Sequence, residues 1–269
     1  GTYVVLYWGD SNGDGVSERN ITGDGNNIYL VTCYGTSAGG GVRTITVEIA
    51  REPPVNVPAA LYVEDALDIN SAHAEVDGND HCGGSNLPGV ATTKPQVSAT
   101  DPVNDHHGSI DGAGTPPVDY SAPVLDIQSI IDTYKSMADY SITPGNYSWQ
   151  NWGTPTGTPA TPDCLDSNIV YASGNIKVTK STGCGILLVD GDLDAQAGFQ
   201  WYGMVFVSGC LKYTGNAASD GIYGSVLCKG TGCTSDDITG NVKLHYCSAA
   251  VNNAIQNMPL HVLSWKDDF

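Results

Sequence analysis

The pattern best suited to holding a cation lies near the start of the chain, in the segment DSNGDGVSE from residue 10 to residue 18. Alternating carboxylate and amide side chains on a glycine-turned loop supply the oxygens that Ca²⁺ prefers. The twelfth position of the loop is Ile21, where an EF-hand needs a bidentate glutamate, so a true EF-hand is excluded. The spacing predicts one Ca²⁺, and the alternative is an acidic hairpin loop between two strands. The predicted ligands are Asp10, Asn12, Asp14, the carbonyl of Val16, and Glu18.

A second group of possible ligands combines histidines with aspartates in the middle of the chain. Imidazole and carboxylate groups could together collect a transition metal. Their separations give no ligand spacing of the H-E-x-x-H kind, which favours solvated loop residues instead. The residues are His81, His106 and His107 with Asp77, Asp80 and Asp105.

A third group, Asp190, Asp192 and Asp194, resembles the carboxylate clusters of β-helix glycosidases. Glycoside hydrolysis needs an acid and a base at a defined separation. The equivalent offsets in the next repeat carry Ser208, Cys210 and Lys212, so no such pair is identified. We therefore predict no catalytic residues.

Residues 35–39, Gly-Thr-Ser-Ala-Gly, match the nucleophile pattern G-x-S-x-G. A nucleophile elbow runs from a strand directly into a helix. Here Gly40 and Gly41 follow and lead into another strand-like segment, which predicts a hairpin turn.

Composition restricts the partners and the fold class. The 269 residues include 11 basic and 29 acidic side chains, giving a net charge of −18, which disfavours nucleic acid and anionic membrane surfaces. Charged residues make up only 15% while glycine numbers 33 and proline 14, a balance typical of short strands joined by tight turns. No apolar run approaches the ~18 residues of a membrane span, and we expect that any export or anchoring segment has been removed.

The elements that would position these groups divide into two predicted domains. Segments 2–8, 27–34 and 42–50 are rich in β-branched and aromatic residues and predict a three-stranded antiparallel sheet. The proline-rich stretch 52–58 favours an extended linker. We therefore predict a sheet domain over residues 1–52 and a second domain over residues 59–269.

The second domain contains an internal repeat. Segments beginning at Asn168, Gly185, Gly203, Gly221 and Gly240 align with steps of 17, 18, 18 and 19 residues, which predicts the stacked coils of a parallel β-solenoid. Residues 61–70 align without gaps to residues 187–196 as a further copy. Residues 77–167 are then predicted to be an insertion. Apolar residues at helical spacing after Ser121 and Pro123 predict one amphipathic helix there, at about 123–140.

Eight cysteines without a Cys-x-x-Cys pair indicate an oxidising compartment. Cys210, Cys228 and Cys247 fall at matching offsets in their coils, so bridges between adjacent coils are geometrically possible. Eight cysteines allow 105 pairings, and the connectivity stays open.

Four segments together resemble the exported region of PilX-like type IV pilus assembly proteins, which are minor pilins. They are VRTITVEIAR from Val42, PAALYVEDALDIN from Pro58, DGNDHCGGSNLPGVATT from Asp77 and GILLVDGDLDAQAGFQWYGMVFVSG from Gly185. The resemblance implies a subunit at or near the tip of a bacterial surface fibre, helping assembly or adhesin display. Its implied partners are other pilin-like subunits and a tip adhesin, with membrane contact only through an N-terminal helix that this sequence lacks.

Three functions are compatible with these observations. The first is a non-catalytic extracellular structural and adhesive protein of a type IV pilus or related fibre. The second is a polysaccharide-active β-helix enzyme, although fold analogy alone does not establish activity. A polyuronate lyase would need strong cations over its substrate, and no arginine follows Arg51. The third is a calcium-dependent surface-layer or adhesin domain unrelated to pili.

Overall fold

The computed structural model describes residues 5–8, 28–37, 39–51, 56–96, 101–105, 108–156, 164–256 and 260–268. These residues form two compact units, one from residues 1–56 with 258–269 and the other from residues 57–257. The fold class is mainly β, as predicted, with a small antiparallel sheet and a large, coiled parallel sheet. Neither helix within the described ranges has the length and apolar character needed to cross a membrane.

Strands dominate both units. In chain order they are β1 (Val5–Trp8), β2 (Ile28–Thr36), β3 (Val42–Arg51), β4 (Leu61–Val63), β5 (Leu67–Ile69), β6 (Glu75–Asp77), β7 (Val90–Thr92), β8 (Val103–Asp105), β9 (Ser109–Asp111), β10 (Val118–Asp119), β11 (Tyr140–Ile142), β12 (Gly145–Ser148), β13 (Asn151–Trp152), β14 (Asn168–Ala172), β15 (Ile176–Thr179), β16 (Thr182–Val189), β17 (Leu193–Gln196), β18 (Gln200–Val207), β19 (Leu211–Cys228), β20 (Asp236–Tyr246) and β21 (Leu260–Asp268). The helices are α1 (Ile127–Tyr134), a 3₁₀ turn (Lys135–Met137) and α2 (Ser248–Gln256).

The antiparallel sheet has the order β1-β2-β3-β21. Its first three strands correspond to the three predicted segments. The fourth strand, Leu260–Asp268, pairs antiparallel with β3. All of residues 59–269 were predicted to belong to the solenoid domain. That assignment was wrong at its C-terminal end. A strand's β-propensity does not reveal its partner, and here the partner lies about two hundred residues away in sequence.

The second unit is a three-sided parallel solenoid. Its first face stacks β11, β14, β16, β18, β19, β4, β7 and β10 in that order. Inward side chains such as Leu187, Val205 and Leu61 form one continuous core. Leu188 and Phe206 alternate with these residues and lie outside that core, yet both are fully buried. The second face continues through β17 and β5, and the third through β13 and β6.

Glycines turn the corner between the third and first faces. Gly185, Gly203 and Gly224 stack on one another with φ of 101°, 132° and 141°. A Cβ on Gly203 would lie 2.1 Å from the carbonyl oxygen of Gly185. The left-handed φ and the close backbone approach therefore both require glycine at this corner.

The predicted register held for some coils and failed for others. Asn168, Gly185 and Gly203 are successive neighbours, and Leu61 shares a column with Leu187 as aligned. Gly221, however, pairs with Gln200, and Gly240 pairs with Gly215 at another corner. Gly221 was misplaced because β19 has extra residues between Asn216 and Gly221. Gly240 was misplaced because the connection from Cys228 to Asp236 is longer than the corresponding connection from Val207 to Leu211.

Residues 77–167 are not an insertion outside the coils. Their described strands β7 to β13 belong to the parallel sheet. The chain enters the solenoid at its middle, runs to the end formed by β10, and resumes at the opposite end with β11. It then returns until β19 and β20 meet β4, β5 and β6. Strands of two to four residues were missed because such short segments carry little periodicity.

In the sequence, helix α1 follows the first run of coils, which ends with β10, and precedes the second run, which begins with β11. The helix is shorter than the predicted span of about 123–140. Asp126 caps it, because its side chain accepts a hydrogen bond from the Ser129 amide at 3.1 Å. The segment before the helix is fixed by Tyr62, whose hydroxyl donates to the Pro123 carbonyl at 3.2 Å and accepts from the Leu125 amide at 3.1 Å. Ile127 and Ile131 are fully buried, so the helix covers an apolar part of the solenoid surface.

Candidate functional site

The predicted calcium ligands lie outside the described residues. Nothing in the fold above therefore tests Asp10, Asn12, Asp14, Val16 or Glu18, and the calcium site stays a prediction. His106 and His107 also fall outside the described ranges.

The carboxylates of the third predicted group each contact neighbouring coils or α1. Asp190 accepts from Gln128 of α1 at 3.2 Å. Asp192 accepts from the Asn175 side chain and from the Cys210 amide, both at 2.8 Å. Asp194 forms an ion pair with Lys177 at 3.3 Å. The contacts of Asp192 and Asp194 connect one coil to the next, and that of Asp190 connects a coil to α1, which is a structural use of all three aspartates.

The Gly-x-Ser-x-Gly segment forms the turn of the β2–β3 hairpin. The amide of Ser37 donates to the Gly41 carbonyl at 2.9 Å, and the Ser37 hydroxyl accepts from the Gly41 amide at 3.1 Å. Because a strand and not a helix follows, the turn lacks the geometry of a nucleophile elbow.

The third face brings together the only described cluster that combines two imidazoles with carboxylates. Strand β20 pairs parallel with β6, so Lys243 lies beside Glu75 and His245 beside Asp77. The intervening Leu244 and Val76 belong to the core. Strand alternation therefore places the side chains of Glu75, Asp77 and His245 together on the side of the sheet that faces away from the core.

His81 reaches this cluster from the turn that follows β6. Its backbone amide donates to the Tyr246 carbonyl at 3.2 Å, and the adjacent Cys82 forms a disulfide with Cys247. The imidazole of His81 stacks on that of His245 with centroids 4.2 Å apart and planes within 8°. The turn is thus held against β20 by a covalent bond, a hydrogen bond and a ring contact.

Each imidazole of this pair lies beside a different carboxylate. Nε2 of His81 lies 2.7 Å from Oδ2 of Asp77. The other oxygen of Asp77, Oδ1, accepts two bonds from Asn79, at 2.8 Å each. Nε2 of His245 lies 3.2 Å from Oε1 of Glu75, outside hydrogen-bond geometry, so it has no hydrogen-bond partner among the described residues.

The electrostatics of the cluster favour a neutral His245. Its side chain is only 7% exposed, and burial lowers its pKa. The negative charge of Glu75 opposes this effect, while His81 and Lys243 reinforce it. A neutral imidazole keeps one lone pair for a proton donor or a metal ion.

A second group close by consists of Asp80, Cys82 and Cys247. Its side chains are already used in a disulfide and in hydrogen bonds. The two cysteines form the disulfide and offer no thiolate. Burial acts to raise the pKa of Asp80, but hydrogen bonds from Ser248, Cys82 and Gly84 outweigh it and lower the pKa. Asp80 therefore serves the turn and the start of α2.

Asp77 and His81 were considered as ligands from the sequence but were interpreted as solvated loop residues, whereas Asp77 is buried here. Glu75 and His245 were not considered. His245 lies 164 residues beyond His81, on a strand that meets β6 only because the two runs of coils join there. No spacing in the sequence indicates such a meeting. The signal that could have found it is the pair Cys82 and Cys247, each close to one histidine, but pairing could not be deduced from the sequence.

Two other disulfides link the coils to their loops, Cys164–Cys184 and Cys210–Cys233. Cys210, Cys228 and Cys247 do not bridge one another, so the geometrically possible adjacent-coil bridges are not formed. Cys228 is a buried free thiol. Three disulfides fit a protein of an extracellular or surface location.

Comparison with known proteins gives a weak structural likeness. No family model matches the sequence, and no curated protein matches it. Among solved structures, the chain is similar to the competence-associated pilin ComZ from Thermus thermophilus, with a TM-score of 0.22 and 9% identity over 99% of this chain and 87% of that chain. A likeness at this level does not establish a shared fold.

Proposed function

We propose that the protein is a non-catalytic structural and adhesive component of a bacterial surface fibre, of the minor-pilin kind. The observation that carries the proposal is the topology: the solenoid unit is inserted between β3 and β21 of the small antiparallel sheet. A module inserted between paired strands is tethered to its host sheet at both ends. Such tethering suits a protein whose task is to display a rigid body.

The chemistry of the solenoid surface supports a structural use of the coils. The carboxylates that resembled a glycosidase cluster contact asparagine, lysine, glutamine and backbone amides. Three disulfides and the net charge of −18 suit an extracellular protein that stays soluble at high local concentration.

The proposed incorporation into a surface fibre can be tested directly. In the source bacterium, a tagged copy of the protein is expected to co-purify with sheared surface fibres and to cross-link to pilin-like subunits. Deletion of the gene is expected to lower fibre number or surface attachment, with rescue by the wild-type gene. Recovery of the tagged protein only away from the fibre fraction would contradict the proposal.

We further propose that Asp10, Asn12, Asp14, the Val16 carbonyl and Glu18 bind one Ca²⁺. Three carboxylates on one short loop repel each other, so a cation should order the loop. Calcium at a hundred times its dissociation constant should add about 2.7 kcal/mol to the free energy of unfolding. A thermal melt with calcium and with chelator, repeated on Asp14→Ala, tests the site. If both proteins melt alike in both conditions, the segment is only an acidic turn.

A further inference from the structure

We propose that Asp77, His81 and His245 form a binding site for one divalent transition-metal ion of the zinc class. Each residue offers one nitrogen or oxygen, and these atoms lie within 4.8 Å of one another. The inference is independent of membership in a fibre.

The donor set selects the metal. Two imidazole nitrogens and a carboxylate oxygen suit Zn²⁺ and its neighbours Ni²⁺ and Cu²⁺, whereas Ca²⁺ and Mg²⁺ prefer an all-oxygen shell. Three protein ligands leave one position of a tetrahedral ion for water or a partner's side chain. His81, whose side chain is 30% exposed, lies on the solvent side of the cluster.

Two features of the cluster are unexplained by the fold alone. The side chain of His245 is only 7% exposed, and its Nε2 makes no well-formed hydrogen bond among the described residues, although Oε1 of Glu75 lies 3.2 Å away. A buried polar nitrogen without a full hydrogen-bond partner destabilises the folded state. Coordination of a metal ion would satisfy that nitrogen.

The orientation of Asp77 is the second feature. Asn79 holds Oδ1 through its backbone amide and its side-chain amide, both at 2.8 Å, and leaves Oδ2 directed at His81. Metal-binding carboxylates are commonly oriented by such hydrogen bonds to the oxygen that does not bind the ion. Asn79 is therefore a positioning residue of the proposed site.

Two neighbouring groups adjust the site without supplying its three ligands. Glu75 places Oε1 3.2 Å from His245 Nε2 and adds negative charge beside that ligand. Lys243 lies 3.5 Å from the other oxygen of Glu75 and partly offsets that charge. The disulfide Cys82–Cys247 joins the turn carrying His81 to the residues that follow His245. Coordination at about 2.0–2.2 Å would require the two stacked imidazoles to tilt toward a common point, within a turn that the disulfide keeps beside β20.

Calorimetric titration of the full chain with ZnCl₂ tests the proposal. The protein is first stripped with chelator, then titrated in excess Ca²⁺ so that the acidic segment 10–18 does not compete. We expect one Zn²⁺ per chain. His81→Ala and Asp77→Asn should each weaken the affinity for Zn²⁺ about tenfold or more. His73 is an exposed histidine on the preceding turn, so His73→Ala should leave the affinity unchanged.

Two outcomes would overturn the site. The first is the absence of a stoichiometric Zn²⁺ event in the wild type, and the second is an unchanged affinity in both His81→Ala and Asp77→Asn. Because a variant could lose structure, each is checked by a melt without metal. X-ray absorption of the zinc-loaded wild type gives an answer that needs no variant, since fewer than two imidazole nitrogens around the metal would also refute the site.

The disulfide provides a further comparison. The pair Cys82→Ser with Cys247→Ser should weaken Zn²⁺ binding, since the turn carrying His81 would lose its covalent link. The matched pair Cys210→Ser with Cys233→Ser removes a bridge that lies outside the cluster and should retain the affinity. Equal losses in the two double variants would argue against a positioning role for Cys82–Cys247.

Discussion

At the scale of single residues, Asp236 is the least expected side chain of the interior. It lies in a column with Leu211 and Leu67 and is fully buried. Its Oδ1 accepts from the Leu211 amide at 2.7 Å and from the Cys228 thiol at 3.3 Å, while Oδ2 has no partner among the described residues. Burial raises the pKa of Asp236 to about 6, and the hydrogen bonds from Leu211 and Cys228 only partly oppose it.

This carboxyl predicts a pH dependence of stability with a definite sign. Because the folded pKa of about 6 exceeds the ordinary value of 3.8, the folded state holds a proton that the unfolded state has lost between those values. The contribution of this carboxyl to the free energy of unfolding should therefore fall as pH rises from about 4 to 6. The difference between the two pKa values corresponds to about 3 kcal/mol.

Asp236→Asn isolates this effect from the other carboxylates. The free energy of unfolding of the variant minus that of the wild type should rise between pH 4 and pH 6.5 and then level off, because the amide does not titrate. Denaturant titrations at several pH values measure it, with Asp237→Asn on the same strand as the partly exposed control. A difference that stays flat across this range would mean that Asp236 titrates normally.

At the scale of elements, the glycine corner fixes the path between two faces of the solenoid. Gly203→Ala should destabilise the protein by about 3 kcal/mol or more, since it combines a left-handed backbone with a collision against Gly185. Gly145→Ala in β12 is the control, because its Cβ would meet only the Tyr147 ring at 3.8 Å. Chemical denaturation compares the two, and similar losses would contradict a special requirement at the corner.

The attachment of the segment before α1 is a second property of an element. Tyr62→Phe removes the hydroxyl that bonds the Pro123 carbonyl and the Leu125 amide. We expect a loss of about 1–3 kcal/mol, because both backbone groups lose their partner in a partly buried setting. Hydrogen exchange should rise in residues 123–134. Tyr140→Phe, at an exposed tyrosine, should change neither quantity.

The element scale also shows what the sequence could reveal. The alignment of Leu61 with Leu187 was correct across 126 positions, because inward apolar side chains repeat at the same place in every coil. Gly221 and Gly240 were misplaced, since the coils differ in length through extra residues in β19 and a longer connection before β20. Asp77 and His81 could be considered as possible ligands, although solvated loop residues were favoured, whereas His245 could not, because its neighbour is fixed by the joining of two distant runs of coils.

At the scale of the whole molecule, the solenoid unit has its own core and its own disulfides. A fragment of residues 57–257 should therefore fold without the antiparallel sheet, give a cooperative melt, and form the three bridges seen here. Circular dichroism and disulfide mapping measure this outcome. A fragment lacking both cooperative unfolding and the native bridges would show that the unit depends on the flanking strands.

The entry of the chain at the middle of the solenoid has a consequence for the order of folding. Among the strands of the solenoid, β4 to β10 are synthesised first. The edge formed by β4, β5 and β6 can pair with its neighbours only when β19 and β20 have also been synthesised. Until then that edge is open to pairing with other chains. The joint brings Cys82 and Cys247, which are 165 residues apart in sequence, within bonding distance. Formation of this disulfide would thus report that the two runs of coils have met, and it would lock a highly non-local contact of the chain.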